Sequence, residues 1–314
     1  MENKNLNISS NPHVRGPITT QKIMLLVIIA LIPAWVAGII HYGINAVLLV
    51  LVTVATCVLT ELIYNKLMKK PLTVNDLSAA VTGLLLGLNL PPTLPIWIAV
   101  LGGIFAILVV KLLFGGLGQN FVNPALAARG FLMISFAGKM TSFVYDGVAG
   151  ATPLAIIKEG GSFDVLNLFL GRHGGTIGET CAVAILAGGI FLIIVKIIDF
   201  RIPLFYLLTV AAYTVIYSLT ARGGFDGQFL LSQLLGGGLL LGAFFMATDY
   251  VTSPITHSGR IIFAIFIGLL TCTFRFFGGS AEGVSFAILI GNLVTPLIEK
   301  ITVPKSFGKG AKAR

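Results

Sequence analysis

Gly83-Leu84-Leu85-Leu86-Gly87 recurs as Gly238-Leu239-Leu240-Leu241-Gly242, each followed by a polar, proline-containing turn. Phe114-Gly115-Gly116 recurs as Phe277-Gly278-Gly279, and Asn123-Pro124 has a looser counterpart in Asn292 with Pro296. These landmarks pair the third, fourth and fifth apolar stretches with the eighth, ninth and tenth, so the repeating unit is five stretches. An odd number of membrane crossings per unit turns the second copy upside down relative to the first. The pattern predicts an all-α integral membrane protein with ten transmembrane helices in two inverted five-helix repeats. Glycines four apart flatten one helix face for close packing, which needs no ligand. The same flat face also leaves room for a planar cofactor or an ion path.

The composition agrees with a membrane protein. Hydrophobic residues are 56% of the 314 and charged residues 11%, against about 25% charge in soluble domains. Apolar runs long enough to cross roughly 30 Å of hydrocarbon fall at 22–40, 44–64, 76–90, 94–114, 121–138, 180–198, 203–220, 228–247, 260–276 and 283–302. The first is read as a retained span rather than a cleaved signal. The runs 76–90 and 121–138 are short or interrupted by Asn and Pro; irregular backbone at membrane depth faces protein or a cavity, so these two are expected to line something.

The net charge of +9 does not indicate nucleic acid, because the basic residues cluster at the termini and in one short loop. With a cytoplasmic N-terminus, fifteen Lys and Arg fall inside and five outside (Lys139, Lys158, Arg172, Arg222 and Arg275). Positive charge is retained on the cytoplasmic side, which places both termini there. The chain then divides into a cytoplasmic arm (1–21), a first repeat (22–138), an extracytoplasmic loop (139–179), a second repeat (180–302) and a basic cytoplasmic tail (303–314).

Within that loop, Asp146-Gly147-Val148-Ala149-Gly150-Ala151-Thr152-Pro153-Leu154 presents one hydroxyl among very small side chains. No paired carboxylates, no Ser-His-Asp order and no nucleotide-binding loop stand out, and no catalytic residue or bound metal is expected. Cys57, Cys181 and Cys272 lie singly in apolar runs and read as buried small hydrophobes. Glu61, Asp76, Asp249, Glu282 and Glu299 fall near span ends, where interfacial anchoring is the simple reading. Asp249, among the hydroxyls and carbonyls of Met246 through Pro254, caps a turn or offers oxygen ligands to a translocated cation. Arg129 and Arg275 sit in or close to apolar runs, where each could pair with a carboxylate or meet a phosphate or flavin.

Several stretches together resemble the RnfD family of membrane subunits and its relative NqrB. They are Asn11-Pro12-His13-Val14-Arg15 leading to Thr20-Gln21-Lys22-Ile23-Met24, Leu88-Asn89-Leu90-Pro91-Pro92, Phe121-Val122-Asn123-Pro124-Ala125, Asp146 through Leu154, Met246 through Pro254 with Gly259-Arg260, and Phe286-Ala287-Ile288-Leu289 before Asn292. The resemblance implies a urea-transporter-like fold in a bacterial inner membrane. It also implies covalent FMN, its phosphate esterified to Thr152 by a separate flavin transferase, with Asp146, Gly150, Ala151, Pro153 and Arg129 as further cofactor-binding positions. Ala149 departs from the serine or threonine common in that motif. A non-covalent riboflavin is a further implied cofactor, with no motif here to locate it. The implied partners are the other membrane, iron-sulfur and flavin subunits of the Rnf complex and the lipid bilayer. The implied activity is electron transfer between ferredoxin and NAD⁺, coupled to Na⁺ or H⁺ translocation. The rival reading is a cofactor-free secondary transporter or channel for a small polar solute, which inverted repeats and broken spans fit equally.

Overall fold

A computed structural model describes residues 18–145, 148–158, 161, 163–278 and 283–304. The helices are α1 (Thr20–Tyr42), α2 (Ile44–Leu67), α3 (Ser78–Leu88), α4 (Ile96–Ile104, continued by a π-helical stretch Phe105–Leu112), α5 (Pro124–Ser135), α6 (Ala137–Met140), α7 (Pro153–Lys158), α8 (Val165–Leu170), α9 (Ala182–Ile194), α10 (Arg201–Ala221), α11 (Gly227–Leu235), α12 (Leu239–Leu241, continued by a π-helical stretch Gly242–Met246), α13 (His257–Phe277) and α14 (Val284–Thr302). Between α6 and α7, β1 (Val144–Tyr145) and β2 (Val148–Ala149) pair antiparallel. The basic tail beyond Pro304, the arm before Ile18, Asp146 and Glu282 lie outside the described residues.

Local sequence sets the helix starts. Asn123 accepts from the N–H groups of Ala125 and Leu126 at 3.0 and 3.3 Å, with Pro124 in the first turn where a missing N–H costs nothing. Asp226 caps α11 and Thr256 caps α13 in the same way.

Five helices, α1, α2, α10, α13 and α14, are long and apolar enough to cross a membrane. A sixth crossing is formed if α11 and α12 count as one span, bent by 54°. The segments expected at 76–90, 94–114, 121–138 and 180–198 contain shorter apolar helices of 10–17 residues. The protein is thus mostly helical and multi-pass. α2 packs along α3 and α4, α10 along α11 and α13, α13 on α14, α1 on α9, and α5 on α14.

The recurring glycines do different work in their two settings. A methyl group added at Gly83 would stand 2.6 Å from Val54 Cα, and one at Gly87 2.5 Å from Thr53 Oγ1, so both let α3 press its backbone on α2. Gly242 likewise faces Val284 and Ile288 of α14. Gly238 has φ +67° and Gly237 φ +65°, a left-handed backbone that glycine adopts without strain. With Gly236 those two residues form the break between α11 and α12.

Glu61 differs from the interfacial anchor expected of it. Its carboxylate is buried and accepts from Lys111 Nζ at 3.1 Å on both oxygens, while Thr73 Oγ1 donates to Oε1 at 2.6 Å. Lys111 also donates to Ser78 Oγ at 2.6 Å, and Ser78 donates on to Asp76. The pair ties α2 to the π-helical end of α4 and the start of α3. Removing one partner leaves an uncompensated buried charge, a cost of about 3–5 kcal/mol. Lys111→Met should therefore melt several degrees below the parent chain in detergent, with Lys111→Met/Glu61→Gln recovering part of the loss. Melting is read by a thiol-reactive dye reaching the buried thiols of Cys57 and Cys272.

Candidate functional site

Thr152 ends the β2–α7 connection. Its Oγ1 accepts from the Ala155 N–H at 3.4 Å, its carbonyl accepts from the Ile156 N–H at 3.0 Å, and the residue is 9% exposed. Pro153 opens α7 and is buried, as is Leu154. Gly150 and Ala151 are exposed, and a methyl group added at Gly150 would meet nothing within 4 Å. The threonine is therefore buried at the point where an exposed small-residue backbone meets the buried start of α7. An alcohol oxygen beside an unfilled glycine fits the phosphate end of a flavin joined as an ester. Of the other cofactor positions expected from the sequence, Gly150, Ala151 and Pro153 flank this hydroxyl.

Leu154 carries the loop onto the broken span. Methyl groups added at Gly236 and Gly237 would run into its side chain, and one at Gly237 also into Arg275 Nη2. Arg275, buried on α13, donates to the carbonyls of Gln233, Gly236 and Gly237, the last two at 2.9 and 3.2 Å. Helix breaks at membrane depth need such partners, because lipid offers none. This is the role the sequence left open for Arg275.

Arg129 approaches the same turn from α5. It is buried, and its Nη1 donates to Asn89 Oδ1 at 2.9 Å and lies 4.0 Å from where a Gly238 methyl group would stand. Glu179 Oε2 lies 2.7 Å from that same point. Arg129 is thus placed at the far side of the turn that Leu154 touches.

Sequence reading missed the segment 173–180. His173, Thr176, Glu179 and Thr180 are buried, and the backbone N–H groups of Ile177 and Gly178 donate to the Leu90 and Leu88 carbonyls at 3.1 and 2.7 Å. The segment is wedged against the ends of α1 and α3, with Ile177 filling the space left by Gly38. Burial holds the His173 imidazole below its ordinary value, partly offset by the Gly174 carbonyl and the Glu179 charge. The signal in the sequence is the run Gly174-Gly175-Thr176-Ile177-Gly178, whose small residues suit close backbone approach.

On the opposite side, a cleft of about 800 Å³ lies between α1, α3, α9 and the π-helical stretches, lined by Asn120, Asn123, Phe244, Phe245, Lys111 and Asp249 among others. Asp249 is the capped turn: Thr252 Oγ1 donates to its Oδ2 at 3.1 Å, and its carbonyl accepts from Ser253 N at 3.0 Å. The Asn123 amide donates to the Met246 carbonyl at 3.4 Å, and the Asn292 amide oxygen accepts from the Asn123 N–H at 3.1 Å.

Beside this cleft, Asp199 accepts from Arg201 Nη1 at 2.8 Å, Arg201 N at 2.9 Å and Arg260 Nη1 at 2.6 Å. Burial would raise its carboxyl, but the Arg201 N–H and the two guanidinium groups outweigh this and hold it below the ordinary value. A carboxyl depressed in the folded state stabilises fully above the unfolded value of about 4, and its contribution disappears as pH falls through the folded value. Asp199→Asn should therefore cost about 1.5–3 kcal/mol near neutrality. The gap between the two melting temperatures should close on acidification to below about pH 4.

The structure defines a multi-pass helical membrane protein with a small-residue threonine loop docked on a helix break, and comparison with known proteins narrows the class. The chain belongs to the NQR2, RnfD, RnfE family, which matches residues 7–308. It is 50% identical to a subunit of the Na⁺-translocating ferredoxin:NAD⁺ oxidoreductase complex of Acetobacterium woodii, covering 98% of this chain and 97% of that one. It is 42% identical to the corresponding subunit of the proton-translocating ferredoxin:NAD⁺ oxidoreductase complex of Clostridium ljungdahlii, over 96% of both chains. Its counterpart in the ion-translocating oxidoreductase complex of Stutzerimonas stutzeri is 38% identical over 94% of both.

Proposed function

We propose that this chain is the RnfD-type subunit of a ferredoxin:NAD⁺ oxidoreductase, an electron-transfer subunit that carries FMN on Thr152. The observation that carries the reading is Thr152, which follows the exposed Gly150–Ala151 backbone and is braced by the buried Pro153 and Leu154, in a chain alike end to end with subunits of such complexes. Bound flavin supplies one- and two-electron redox chemistry. The chain's own residues fix where that chemistry happens: Thr152 holds the phosphate, Gly150 leaves the approach clear, and Leu154 seats the loop on the helix break. The partners are the other Rnf subunits, which supply the ferredoxin and NAD⁺ sites, and the ion moved is Na⁺ or H⁺.

The proposed frame is ten spans in two inverted repeats, in a bacterial inner membrane with both termini cytoplasmic and the Thr152 loop outside. Its support is that equivalent elements meet each other, as they do around a pseudo-two-fold axis: α1 with α9, α5 with α14, and Asn123 with Asn292. Within each half the second long helix packs along its two successors. The inner cleft, with Phe244, Phe245 and the two asparagine amides, offers aromatic and amide groups of the kind that a non-covalent riboflavin would use. Asp249 in that cleft is the residue proposed for the ion path.

Expressed with a flavin transferase, the parent chain should give a fluorescent band on a denaturing gel, and Thr152→Ala a dark one of equal protein content. A dark parent band contradicts the proposal. In the assembled complex, Thr152→Ala should retain every subunit yet lose ferredoxin-driven NAD⁺ reduction.

A further inference from the structure

The helices α10 and α13 are both long and apolar enough to cross a membrane, and they run in the same direction. Arg201 meets His257 at their first turns, Nη1 to Nδ1 at 3.0 Å, and Tyr213 stacks on Phe276 toward their far ends at 5.8 Å. Both helices therefore begin at one face of the membrane. A cavity of about 480 Å³ opens there, lined by Lys196, Asp199, Phe200, Arg201, Tyr250 and Arg260 among others. That volume falls within the roughly 300–1,000 Å³ of ligand pockets.

Three cations and one carboxylate line the cavity, a surplus of two positive charges. Arg260 is committed to the protein: its Nε donates to the Pro254 carbonyl at 3.1 Å and its Nη1 to Asp199 at 2.6 Å. Arg201 also meets Asp199, but its side chain keeps 31% exposure. The Lys196 ammonium makes no hydrogen bond or ion pair to a described residue. Its backbone holds φ +60° at the turn that ends α9, where the Ile197 N–H returns to the Leu192 carbonyl at 2.9 Å. Glycine usually fills that left-handed position, so the lysine is kept there against its backbone preference. Beside these cations the wall is apolar. Ile193 and Phe200 line the opening, and Leu204, one turn along α10 from Phe200, is exposed as Phe200 is.

We propose that this cavity seats the headgroup of one anionic phospholipid, with Lys196 and Arg201 as the cations of its phosphate and Ile193, Phe200 and Leu204 beside its acyl chains. Basic pockets between membrane helices at the bilayer surface take such headgroups. Arg260 holds Asp199 in place, which leaves Lys196 and the outer edge of Arg201 to the ligand. A free phosphate shares the charge but has nothing to lay on the apolar wall. The seat is independent of the flavin reading.

The test uses the full chain in detergent, titrated with dioleoyl phosphatidylglycerol or dioleoyl phosphatidylcholine, each bound lipid being counted by native mass spectrometry. The parent should hold one phosphatidylglycerol about tenfold more tightly than phosphatidylcholine. Lys196→Gln, which removes no contact within the protein, should weaken phosphatidylglycerol about fivefold and leave phosphatidylcholine unchanged. Lys66→Gln/Lys69→Gln, two exposed cations around the end of α2, should bind both lipids as the parent does. Equal affinity for the two lipids in the parent, or parent-like affinity in Lys196→Gln, overturns the seat. Displacement of phosphatidylglycerol by millimolar inorganic phosphate marks a site for free phosphate and overturns it too. In the assembled complex, photoactivatable phosphatidylglycerol should label the peptide 193–204. Labelling seen in the isolated chain but lost on assembly assigns the cavity to an acidic partner segment and overturns the lipid seat.

Discussion

The break between α11 and α12 is the constraint on which the surroundings of Thr152 depend. Three consecutive glycines, two of them left-handed, interrupt the helix and leave its last carbonyls in need of partners. Arg275 meets that need by donating to the carbonyls of Gln233, Gly236 and Gly237. The glycines also leave a hollow that Leu154 fills, and Leu154 lies two residues beyond Thr152. The position of the Thr152 hydroxyl therefore depends on a buried hydrogen-bond arrangement as well as on the small-residue loop that carries it. Arg129 and Glu179 converge on the same turn from the other side, which makes it the meeting point of α5, α11, α12, α13 and the buried 173–180 segment.

The two sides of the molecule are built differently. One side carries the Thr152 loop and an aromatic pocket rimmed by Lys158, Arg222 and Arg275. The other carries a larger cleft with two asparagine amides, one lysine and one aspartate in a mainly apolar lining. The Glu61–Lys111 pair braces the cleft by joining α2, α3 and the end of α4 through one buried network. The π-helical stretches that end α4 and follow α12 both border this cleft, in keeping with the tendency of such widened turns to mark working sites.

The candidate loop was legible in the sequence because its positions are consecutive. A lone threonine between glycine, alanine and proline announces a hydroxyl on a restrained turn, and the structure places Thr152 buried at the start of α7 behind the exposed Gly150 and Ala151. The apolar runs announced a multi-pass helical protein, although several turned out shorter than a full crossing. The remainder depends on contacts between distant positions. Glu61 and Lys111 each looked like an ordinary charge near a span end, and only folding brings them to 3.1 Å. Arg275 gave its presence but not its partners, which lie some forty residues earlier on α11 and its break. Residues 173–179 read as outer loop because polarity, not burial, is what composition reports; their glycines allow the backbone to enter a space that side chains would fill. The aromatic residues of the pocket beside α7, Tyr217, Phe229 and Phe276, come from three different helices and have no linear pattern at all.

The central claim is that Thr152 bears the flavin, and peptide mass spectrometry of the chain purified from its assembled complex tests it most directly. The account predicts that the peptide containing Thr152 carries the mass of FMN joined with loss of water, and that fragmentation places it on that residue. An unmodified Thr152 peptide in a complex that reduces NAD⁺ with ferredoxin would contradict it.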